Sequence, residues 1–372
     1  MLTYSLLHCS EILGSVLLFS PMEPNGRGAA GGIRVTKREQ MHRPVSAADV
    51  ARAAGVSQQT VSRVVNRQPN VSEKTRLAVT RAMEELGFRP NFAGRSLRSG
   101  RYHSVGLTIY NITQYGNLST LDGIATAARE HGYAITMEEE RDDSPVSLEA
   151  TTRRMLALPV DAMIVSMSIK AEDFDAFRPA QGLGCVLLTM YPPPGCTTID
   201  SDQYGCSRLV MNHLLSHGHR EIRFVAGPSY SVDSTFREKG WRDALEEQGI
   251  EAVEPLAGDW TADSGYEAGA ALATDASMTA VYAANDQMTL GVIAALEDAG
   301  RQVPEDVSVV GVDDSLGGTV PRNRLTTVRF DMFQRGTRAF EEALKAGEPG
   351  YEVQDIRIPG TLIERSTVRD IR

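Results

Sequence analysis

The spacing of apolar and polar residues changes along the chain, and its first clear period is that of a helix. Apolar residues in the stretch 48–54 recur on one helical face, and these are Val50, Ala51 and Ala54. Gly55 then permits a sharp turn, because glycine tolerates a positive φ. Ser57 can cap a second helix that runs from Gln58 to about Val65. The pattern therefore predicts two short helices joined by a glycine turn.

The second helix is expected to bury its valines and to expose a polar face. Glutamine can bond adenine at two atoms and arginine can bond guanine in the same way, so these side chains suit the reading of base edges. Such a face behind a glycine turn is typical of a helix-turn-helix, although an ordinary helical hairpin with a solvated face shares part of the pattern. The candidate DNA-contacting residues are Ser57, Gln58, Gln59, Thr60, Ser62, Arg63 and Asn66.

A third helix is predicted from Glu73 to Leu86, with Ser72 as its cap. The apolar residues expected to close a three-helix core are Leu77, Ala78, Ala82, Met83 and Leu86. Pro90 then breaks the chain, and Asn91 can cap the segment 92–98, which is too short to be a stable helix alone.

From Val105 onward, short apolar runs alternate with amphipathic stretches. The predicted strands are Val105–Ile109, Ala134–Met137, Ala162–Ser166, Cys185–Met190, Ile222–Ala226, Ala280–Ala283 and Val307–Val312. The predicted helices between them include Leu118–His131, Leu148–Leu158, Tyr204–His217, Phe236–Gln248, Gly265–Ala273, Gln287–Ala299 and Met332–Lys345. This alternation predicts parallel sheets covered on both faces. The number of strands favours two doubly wound halves with a cleft between them, where ligands bind at the carboxyl ends of strands.

Polar and aromatic residues follow several of these runs. Asn285 and Asp313 stand at two predicted strand ends, Trp260 lies in a predicted loop, and Arg237 opens a predicted helix. Carboxylate, amide and guanidinium groups bond hydroxyls while an indole covers the apolar face of a sugar, so the set suits a polyhydroxylated ligand. Each residue also has an ordinary interpretation, as a helix cap, a loop former, a core residue or a surface residue.

The chain is acidic as a whole, but its charges are distributed unevenly along the sequence. The net charge of -10 argues against a nucleic-acid partner, but Met41 to Arg101 holds 11 Lys or Arg against 4 Asp or Glu. Residues 1–40 carry +1, so the remainder from Tyr102 carries -18. A basic N-terminal part ahead of an acidic remainder places the phosphate-binding surface on one small domain.

The sequence shows little sign of a catalytic motif or a metal-binding motif. The chain has no GxSxG, no GxxxxGK[ST] and no GxGxxG after a strand, so an enzyme is not expected. His217 and His219 have no Cys, Asp or Glu nearby in ligand spacing and are interpreted as residues of a helix end or turn. No metal and no cofactor is therefore expected.

The cysteines and the first residues bear on the compartment. The four cysteines show no CxxC or metal pattern, and Cys185 in an apolar run is interpreted as a small buried residue, which favours a reducing compartment without disulfides. Polar residues break the stretch 2–19 too often for a signal peptide or a membrane span. Residues 1–42 are interpreted as a disordered extension or an over-long start.

Two long strings together resemble the DNA-binding motif of the lactose-repressor (LacI/GalR) family. They are ADVARAAGVSQQTVSRVVN at 48–66 and ELGFRPNFAGRSL at 85–97. The later strings RxxGW, GDW, ANDQM and VGxDD extend the resemblance to about residue 366. It implies an all-α helix-turn-helix head and an α/β two-lobed effector domain of the type I periplasmic-binding-protein-like fold. It also implies a bacterial cytoplasmic, nucleoid-associated protein.

The resemblance further implies a domain layout. A DNA-binding domain is expected at 43–90, a hinge helix or linker at 91–101, and an effector-binding and dimerisation domain at 102–366. Lobe 1 of that domain is expected at about 102–201 and 330–358, and lobe 2 at about 202–329 and 359–366. In the family the hinge is ordered on operator DNA, where a Leu wedges between base pairs in the minor groove. Leu97 falls on that position, with Asn91 as a further DNA contact, although a plain linker is the alternative.

An effector pocket is implied as well. Its expected residues are Arg237, Trp260, Asn285, Asp313, Phe330, Thr189 and Tyr110. Thr189 stands where an effector-binding Asp is found in the family, and Phe330 and Met332 also stand at lining positions, so a sugar or glycoside is expected but not specifically a lactose analogue.

The expected function is that of a repressor of carbohydrate-utilisation genes, released from DNA by a sugar or glycoside. It is expected to act as a homodimer on a palindromic double-stranded operator, with no membrane partner. One alternative is a regulator of the same fold that needs its ligand as co-repressor. Another is a sugar receptor or sugar-handling enzyme on the same two-lobed body, which for a receptor would require an export signal and no helix-turn-helix.

Overall fold

The computed structural model describes residues 45–65, 68–88, 100–113, 115–140, 147–180 and 182–372. The predicted DNA-contacting residues Asn66, Asn91 and Leu97 lie outside these ranges, as do residues 1–42. The chain divides into two units, residues 1–90 and residues 91–372, which are called here the head and the body. None of the described helices is long and apolar enough to cross a membrane.

Three helices make up the described head, namely α1 (Ala47–Ala54), α2 (Gln58–Val65) and α3 (Glu73–Leu86). Gly55 closes α1 with a φ of 65°, in the left-handed region that the turn requires. The Oγ atom of Ser57 accepts the backbone N–H of Thr60 at 3.1 Å, which satisfies a donor that the first turn of α2 leaves open. The predicted pair of short helices around a glycine turn is confirmed.

Small apolar side chains from all three helices form the core of the head. The fully buried members are Val50, Ala51, Val61, Val64, Val79 and Ala82. Partly buried residues, among them Val56 in the turn and Phe88 after α3, pack around them. The six buried side chains are all valine or alanine, so the three helices approach closely.

The predicted core face of α3 is wrong in part. Three residues expected in the core are exposed instead, and these are Leu77, Ala78 and Leu86. The helix buries Val79 and Ala82 and partly buries Met83, and these three residues, spaced by three and four positions, share one face. Leu77 lies about 200° around the helix from Val79 and is 62% exposed. Hydrophobicity alone, without the angular position of each residue around the helix, therefore predicted the wrong buried face for part of α3.

The body contains two parallel sheets and one short antiparallel pair. Its described strands are β1 (Ser104–Tyr110), β2 (Ala134–Glu140), β3 (Ala162–Ser166), β4 (Gly184–Leu188), β5 (Thr197–Ser201), β6 (Ile222–Ala226), β7 (Leu256–Ala257), β8 (Ala280–Ala283), β9 (Ser308–Val310), β10 (Thr327–Arg329), β11 (Asp355–Ile358) and β12 (Thr361–Ile363). The first sheet has the order β11-β5-β4-β3-β1-β2 and the second β7-β6-β8-β9. Strands β10 and β12 pair with each other. The predicted strands are all present, while β5, β7, β10, β11 and β12 were not predicted.

Seven helices cover the described body. They are α4 (Asn117–Glu130), α5 (Leu148–Leu156), α6 (Gln203–Ser216), α7 (Val232–Glu246), α8 (Ala262–Leu272), α9 (Asp286–Asp298) and α10 (Met332–Ala346). Two of them, α7 and α8, begin four and three residues earlier than predicted. Ser231 caps α7 and Thr261 caps α8, each by accepting a backbone N–H three residues on. The first turns after these caps are largely polar, so apolar spacing alone placed both starts too late.

The described body crosses between the two sheets three times. The first crossing follows β5, and the second runs through β10 towards α10, which packs on the first sheet. The third runs through β12, after which the chain returns beside the second sheet, where the N–H of Val309 donates to the carbonyl of Thr367 at 2.8 Å. Strands β10 and β12 therefore lie together in the connection between the sheets.

Apolar clusters cover both faces of the first sheet and fill the second. In β3, Ile164 packs with α4 and α10, whereas Val165 points to the other face, because side chains alternate along a strand. The second sheet is centred on Phe224, whose ring centroid lies 5.4 Å from that of Trp241 and 4.8 Å from that of Tyr282. The doubly wound arrangement predicted from the alternation is confirmed.

Two glycines let α4 and α10 pack with their backbones almost in contact. A Cβ atom on Gly123 would lie 2.2 Å from the carbonyl oxygen of Phe333. A Cβ atom on Gly336 would lie 2.0 Å from the carbonyl oxygen of Thr120. Both distances are shorter than any contact that a real Cβ makes, so only glycine allows this helix pair.

Gly336→Ala should destabilise the body by about 1–3 kcal/mol, because the added methyl forces α4 and α10 apart. The direction of this change in the free energy of unfolding is diagnostic. In a helix with free space around the glycine, the same substitution stabilises by about 0.5–1 kcal/mol. Urea unfolding followed by tryptophan fluorescence measures the body, which holds both tryptophans of the chain. The exposed neighbour Gln334→Ala is the control and should change little. A Gly336→Ala protein as stable as that control would contradict the close packing.

Candidate functional site

A cavity of about 530 Å³ opens where strands of both sheets end. From the first sheet it receives Tyr110 at the end of β1 and Asp200 in β5. From the second it receives Asn285 after β8 and Asp313 after β9. Parallel strands bring their carboxyl ends to one edge of a sheet, so the fold gathers these residues. Of the seven predicted effector residues, five line the cavity, namely Tyr110, Arg237, Trp260, Asn285 and Asp313.

Arg237 is a buried cation beside this cavity. Its Nε donates to the Oε1 of Gln203 at 2.9 Å, and its Nη1 donates to the carbonyl of Ala284. Its Nη2 lies 3.6 Å from the Oδ1 of Asp313, in an ion pair of two buried side chains. These bonds hold the guanidinium in one orientation, because its donors form a planar fork.

Asp313 sits in a strained and poorly solvated position. Its backbone has a φ of 109°, which is rare for a residue with a side chain, and its carbonyl accepts the hydroxyl of Tyr115 at 3.0 Å. Burial of the carboxyl raises the pKa of Asp313 to about 8, although the neighbouring Arg237 guanidinium acts in the opposite direction. The Asp313 carboxyl therefore releases its proton at a higher pH than an ordinary carboxyl does.

Trp260 presents its ring to the cavity from a second strained position. Its φ is 75°, and a Cβ on Gly227 would lie only 2.3 Å from the ring, so the indole rests on that glycine. The guanidinium of Arg237 lies 5.7 Å from the ring centroid, within the range of a cation–π contact. The indole Nε1 is buried and has no hydrogen-bond partner among the described residues. The indole therefore offers the cavity its ring rather than its N–H group.

Asn285 lines the cavity and also makes hydrogen bonds that hold the neighbouring helix and loop in place. Its Oδ1 accepts the N–H of Met288 at 2.9 Å and so caps α9. Its Nδ2 donates to the carbonyl of Trp260 at 3.0 Å, which anchors the loop that carries the indole. The ordinary interpretation as a helix cap is therefore correct, and the amide also positions the tryptophan.

A second buried ion pair lines the cavity and was missed from the sequence. The Nη1 of Arg335 donates to the Oδ1 of Asp200 at 2.8 Å, while its Nε and Nη2 donate to the hydroxyl of Thr120. The carboxyl of Asp233 also lines the cavity. Its pKa is raised to about 6 by burial and by the neighbouring Asp200. The signal was weak because β5, which carries Asp200, has a single aliphatic residue, Ile199, and shows no apolar run.

The structure does not bring Thr189 and Phe330 to the cavity lining. Thr189 is 1% exposed, and its carbonyl accepts the Nη1 of Arg357 at 3.0 Å. The ring of Phe330 lies behind Arg237, with its centroid 6.0 Å from the guanidinium carbon. Met332, which the family pattern also placed at a lining position, does line the cavity.

In the head, α2 presents a polar surface to solvent. Ser57, Gln58, Gln59 and Arg63 are exposed, while Thr60 and Ser62 are half-buried. The hydroxyls of Ser57 and Thr60 lie 3.0 Å apart at the start of the helix. The exposed amides and guanidinium have the donor and acceptor groups that base edges require.

Two parts of the chain match known protein families. The family model of bacterial regulatory proteins, lacI family, matches residues 47–91. The family model of a periplasmic binding protein-like domain matches residues 211–368. The HTH-type transcriptional regulator GalR of Escherichia coli (strain K12) is 33% identical over 333 residues, which cover 86% of this chain and 94% of GalR. The chain belongs to the LacI family of bacterial regulatory proteins.

Solved structures agree with this LacI-family assignment. The Lac repressor dimer bound to operator and the anti-inducer ONPF has a TM-score of 0.79 and 29% identity, covering 88% of this chain and 100% of that one. The complex of the transcriptional regulator CelR with cellobiose has a TM-score of 0.62 and 29% identity, covering 87% and 100%. The predicted helix-turn-helix head and type I periplasmic-binding-protein-like body are confirmed. These relatives are regulators of transcription, and the prediction that the chain is not an enzyme is confirmed as well.

The raised pKa of Asp313 predicts how the stability of this LacI-family protein depends on pH. A carboxyl whose pKa is higher in the folded state stabilises fully below its unfolded pKa, and this contribution is lost as the pH rises towards about 8. Asp313→Asn removes the titration and keeps a residue that tolerates positive φ. The thermal midpoint of the variant, relative to the wild type, should therefore rise between about pH 5 and pH 8.

Asp259→Asn at the cavity rim is the matched control. Hydrogen bonds from Thr261 and Ser264 lower the pKa of Asp259, so its contribution is lost only as the pH falls below the usual range of a carboxyl. Its difference from the wild type should be constant between about pH 5 and pH 8. The same flat difference for Asp313→Asn would contradict the raised pKa.

Proposed function

We propose that this protein represses carbohydrate-utilisation genes and is released from its operator by a sugar or glycoside. The observation that carries the proposal is the cavity between the two sheets, where Arg237, Asp313 and Trp260 meet. A charged acceptor, a charged donor and an indole face are the groups that recognise ring hydroxyls and the apolar face of a sugar. The CelR structure holds cellobiose, which supports the same ligand class here.

The head supplies the DNA contact in this proposal. The exposed side chains of α2 would enter the major groove, with Gln58, Gln59 and Arg63 reaching base edges. We infer a homodimer on a palindromic site, because a twofold protein reads a twofold sequence and the Lac repressor is a dimer on its operator. The partner DNA would place the protein in the bacterial cytoplasm, at the nucleoid.

The domain layout is part of the same proposal. Residues 43–90 would form the DNA-binding domain, 91–101 the hinge, and 102–366 the effector-binding and dimerisation domain. Leu97 would wedge into the minor groove and Asn91 would contact DNA from the hinge.

Release follows from a difference in affinity between two states. A ligand that contacts residues after β8 and β9 as well as residues of the first sheet binds best when the two sheets are close together. Such a ligand shifts the population towards the closed state, and the same coupling weakens DNA binding if the operator prefers the other state. Tyr110 from the first sheet and Asn285 from the second are positioned for this bridging.

The test begins by selecting operator DNA from a random duplex library with the full-length protein. Gel shifts on the selected DNA are then run with each sugar that raises the thermal midpoint in a panel of mono- and disaccharides. Release of DNA by such a sugar supports the proposal. If DNA is bound only when the sugar is present, the ligand is a co-repressor and the proposed direction of control is wrong.

Arg63→Ala should weaken binding to the selected operator by about 1–3 kcal/mol and relax preference at one base pair. The reason is that a guanidinium bonded to a guanine edge distinguishes that base from the others. Gel shifts on the operator, on single base-pair variants and on scrambled DNA measure the change. Arg81→Ala on α3, which removes an exposed guanidinium paired with Glu85, is the control and should leave base preference unchanged. If Arg63→Ala lowers the affinity for operator and for scrambled DNA equally, Arg63 contacts only phosphate and does not read a base.

Effector affinity should rise with pH up to about pH 8, because the charged carboxylate of Asp313 is the stronger acceptor for ligand hydroxyls. Below that pH the affinity should fall by up to about tenfold per pH unit. Asp313→Asn should bind weakly at every pH and show no such slope, while DNA binding without effector survives. Calorimetric titration between about pH 6 and pH 9 makes the comparison. A variant that keeps the wild-type slope would exclude Asp313 as the anchor.

A further inference from the structure

A second cluster of ligand-type side chains lies outside the cavity lining, where the end of α6 meets the residue that follows β12. His213 lies in the last turn of α6, His217 follows the end of that helix, and Glu364 follows β12. One ring nitrogen of each histidine and one carboxylate oxygen lie within 4.8 Å of one another. Among the residues that the structure describes, no other three His, Cys, Asp or Glu side chains converge in this way.

The two histidines are placed together by helix geometry. Residues four apart share one face of a helix, so His213 and His217 project side by side. Their ring centroids are 4.4 Å apart with an angle of 55° between the planes. Two imidazoles at this spacing on a helix are a common way to offer two nitrogens to one metal ion.

The hydrogen bonds of His217 show which of its nitrogens is available. Its Nδ1 lies 2.8 Å from the carbonyl oxygen of His213, and a carbonyl can only accept. Nδ1 therefore carries the proton, and Nε2 keeps a lone pair. A ring that donates one N–H to a backbone carbonyl and offers the other nitrogen is the usual arrangement of a metal-bound histidine.

His213 contributes a polar atom that the described protein leaves unsatisfied. The side chain is 8% exposed, and its Nε2 is buried without a hydrogen-bond partner among the described residues. A buried polar atom without a partner costs free energy, and a bound ion would offset that cost.

Two other ionisable groups nearby are already committed. His219 has Nδ1 at 3.1 Å from the hydroxyl of Thr279 and Nε2 at 3.1 Å from the carbonyl of Arg369. Asp370 holds the guanidinium of Arg372 with both carboxylate oxygens. Glu364, by contrast, is exposed and takes part in none of the ion pairs of the described chain. The carboxylate available to an ion is therefore that of Glu364.

We propose that His213, His217 and Glu364 bind a divalent transition-metal ion of the zinc type. Two imidazole nitrogens and one carboxylate oxygen are a common three-ligand set for Zn²⁺, with water as the fourth ligand, whereas Mg²⁺ prefers oxygen alone. Zinc bonds of about 2.0–2.2 Å to nitrogen and oxygen hold the ligand atoms close together, and the exposed Glu364 side chain is free to adjust to the ion. The ion would join the end of α6 to the chain that leaves β12, one of the connections between the two sheets.

The experiment titrates chelator-treated full-length protein with zinc chloride in a calorimeter, and with cobalt(II) chloride while visible absorption is recorded. We expect one tightly bound zinc ion per chain and the absorption bands of a low-coordinate cobalt site. His217→Gln and Glu364→Gln should each weaken zinc binding at least about tenfold, since loss of even an outer partner of a metal ligand costs about 10–100-fold. Magnesium chloride should give no comparable binding.

His131→Gln is the matched control. The Nδ1 of His131 lies 2.9 Å from the carbonyl of Ala127 in the same helix-end arrangement, but His131 lies outside the cluster. This variant should bind zinc as the wild type does, and zinc should raise the thermal midpoint of both. Zinc affinity unchanged in His217→Gln and Glu364→Gln, or no zinc binding by the wild type, would overturn the proposal. The readouts use neither operator nor sugar, so they are independent of the proposed regulatory function.

Discussion

The direction of the strands is the constraint on which the rest of this molecule depends. Within each of the two main sheets every strand pair is parallel, so all carboxyl ends lie at one edge. The chain crosses between the sheets and brings the two edges to one cavity. Residues as distant in sequence as Tyr110 and Asp313 therefore line the same space, and neither needs a local motif to reach it. A sheet with antiparallel neighbours would send half of these side chains to the opposite end.

Two buried pairs of carboxyl and guanidinium groups lie at that edge. Arg237 with Asp313 and Arg335 with Asp200 form two ion pairs from different elements, and both pairs lie beside the cavity. Removing one partner would leave an uncompensated buried charge, which costs far more than the pair contributes. The pairs thus fix orientation more than they add stability. They also concentrate fixed donors and acceptors beside the cavity.

Local features were predictable from sequence, and long-range ones were not. Gly55 and Ser57 act through their own turn and cap, so their roles follow from neighbours a few residues away. Leu77 shows the limit, because hydrophobicity without helical phase put it in the core. Strand β5 has no apolar run, so Asp200 and its partner Arg335 stayed hidden until the fold joined them. The cluster around His213 was missed for the same reason, since its carboxylate comes from the far end of the chain.

Strands β10 and β12 connect the two sheets as a hydrogen-bonded ribbon, with Val328 opposite Leu362. Two connections that are paired in register cannot twist separately, so they act as one bending element instead of two independent tethers. An extra residue at the start of β10 would shift its pairing with β12 and turn the fully buried Val328 towards the other face of the ribbon. A change of length in one of these two short strands therefore requires a matching change in the other if the pairing is to be kept.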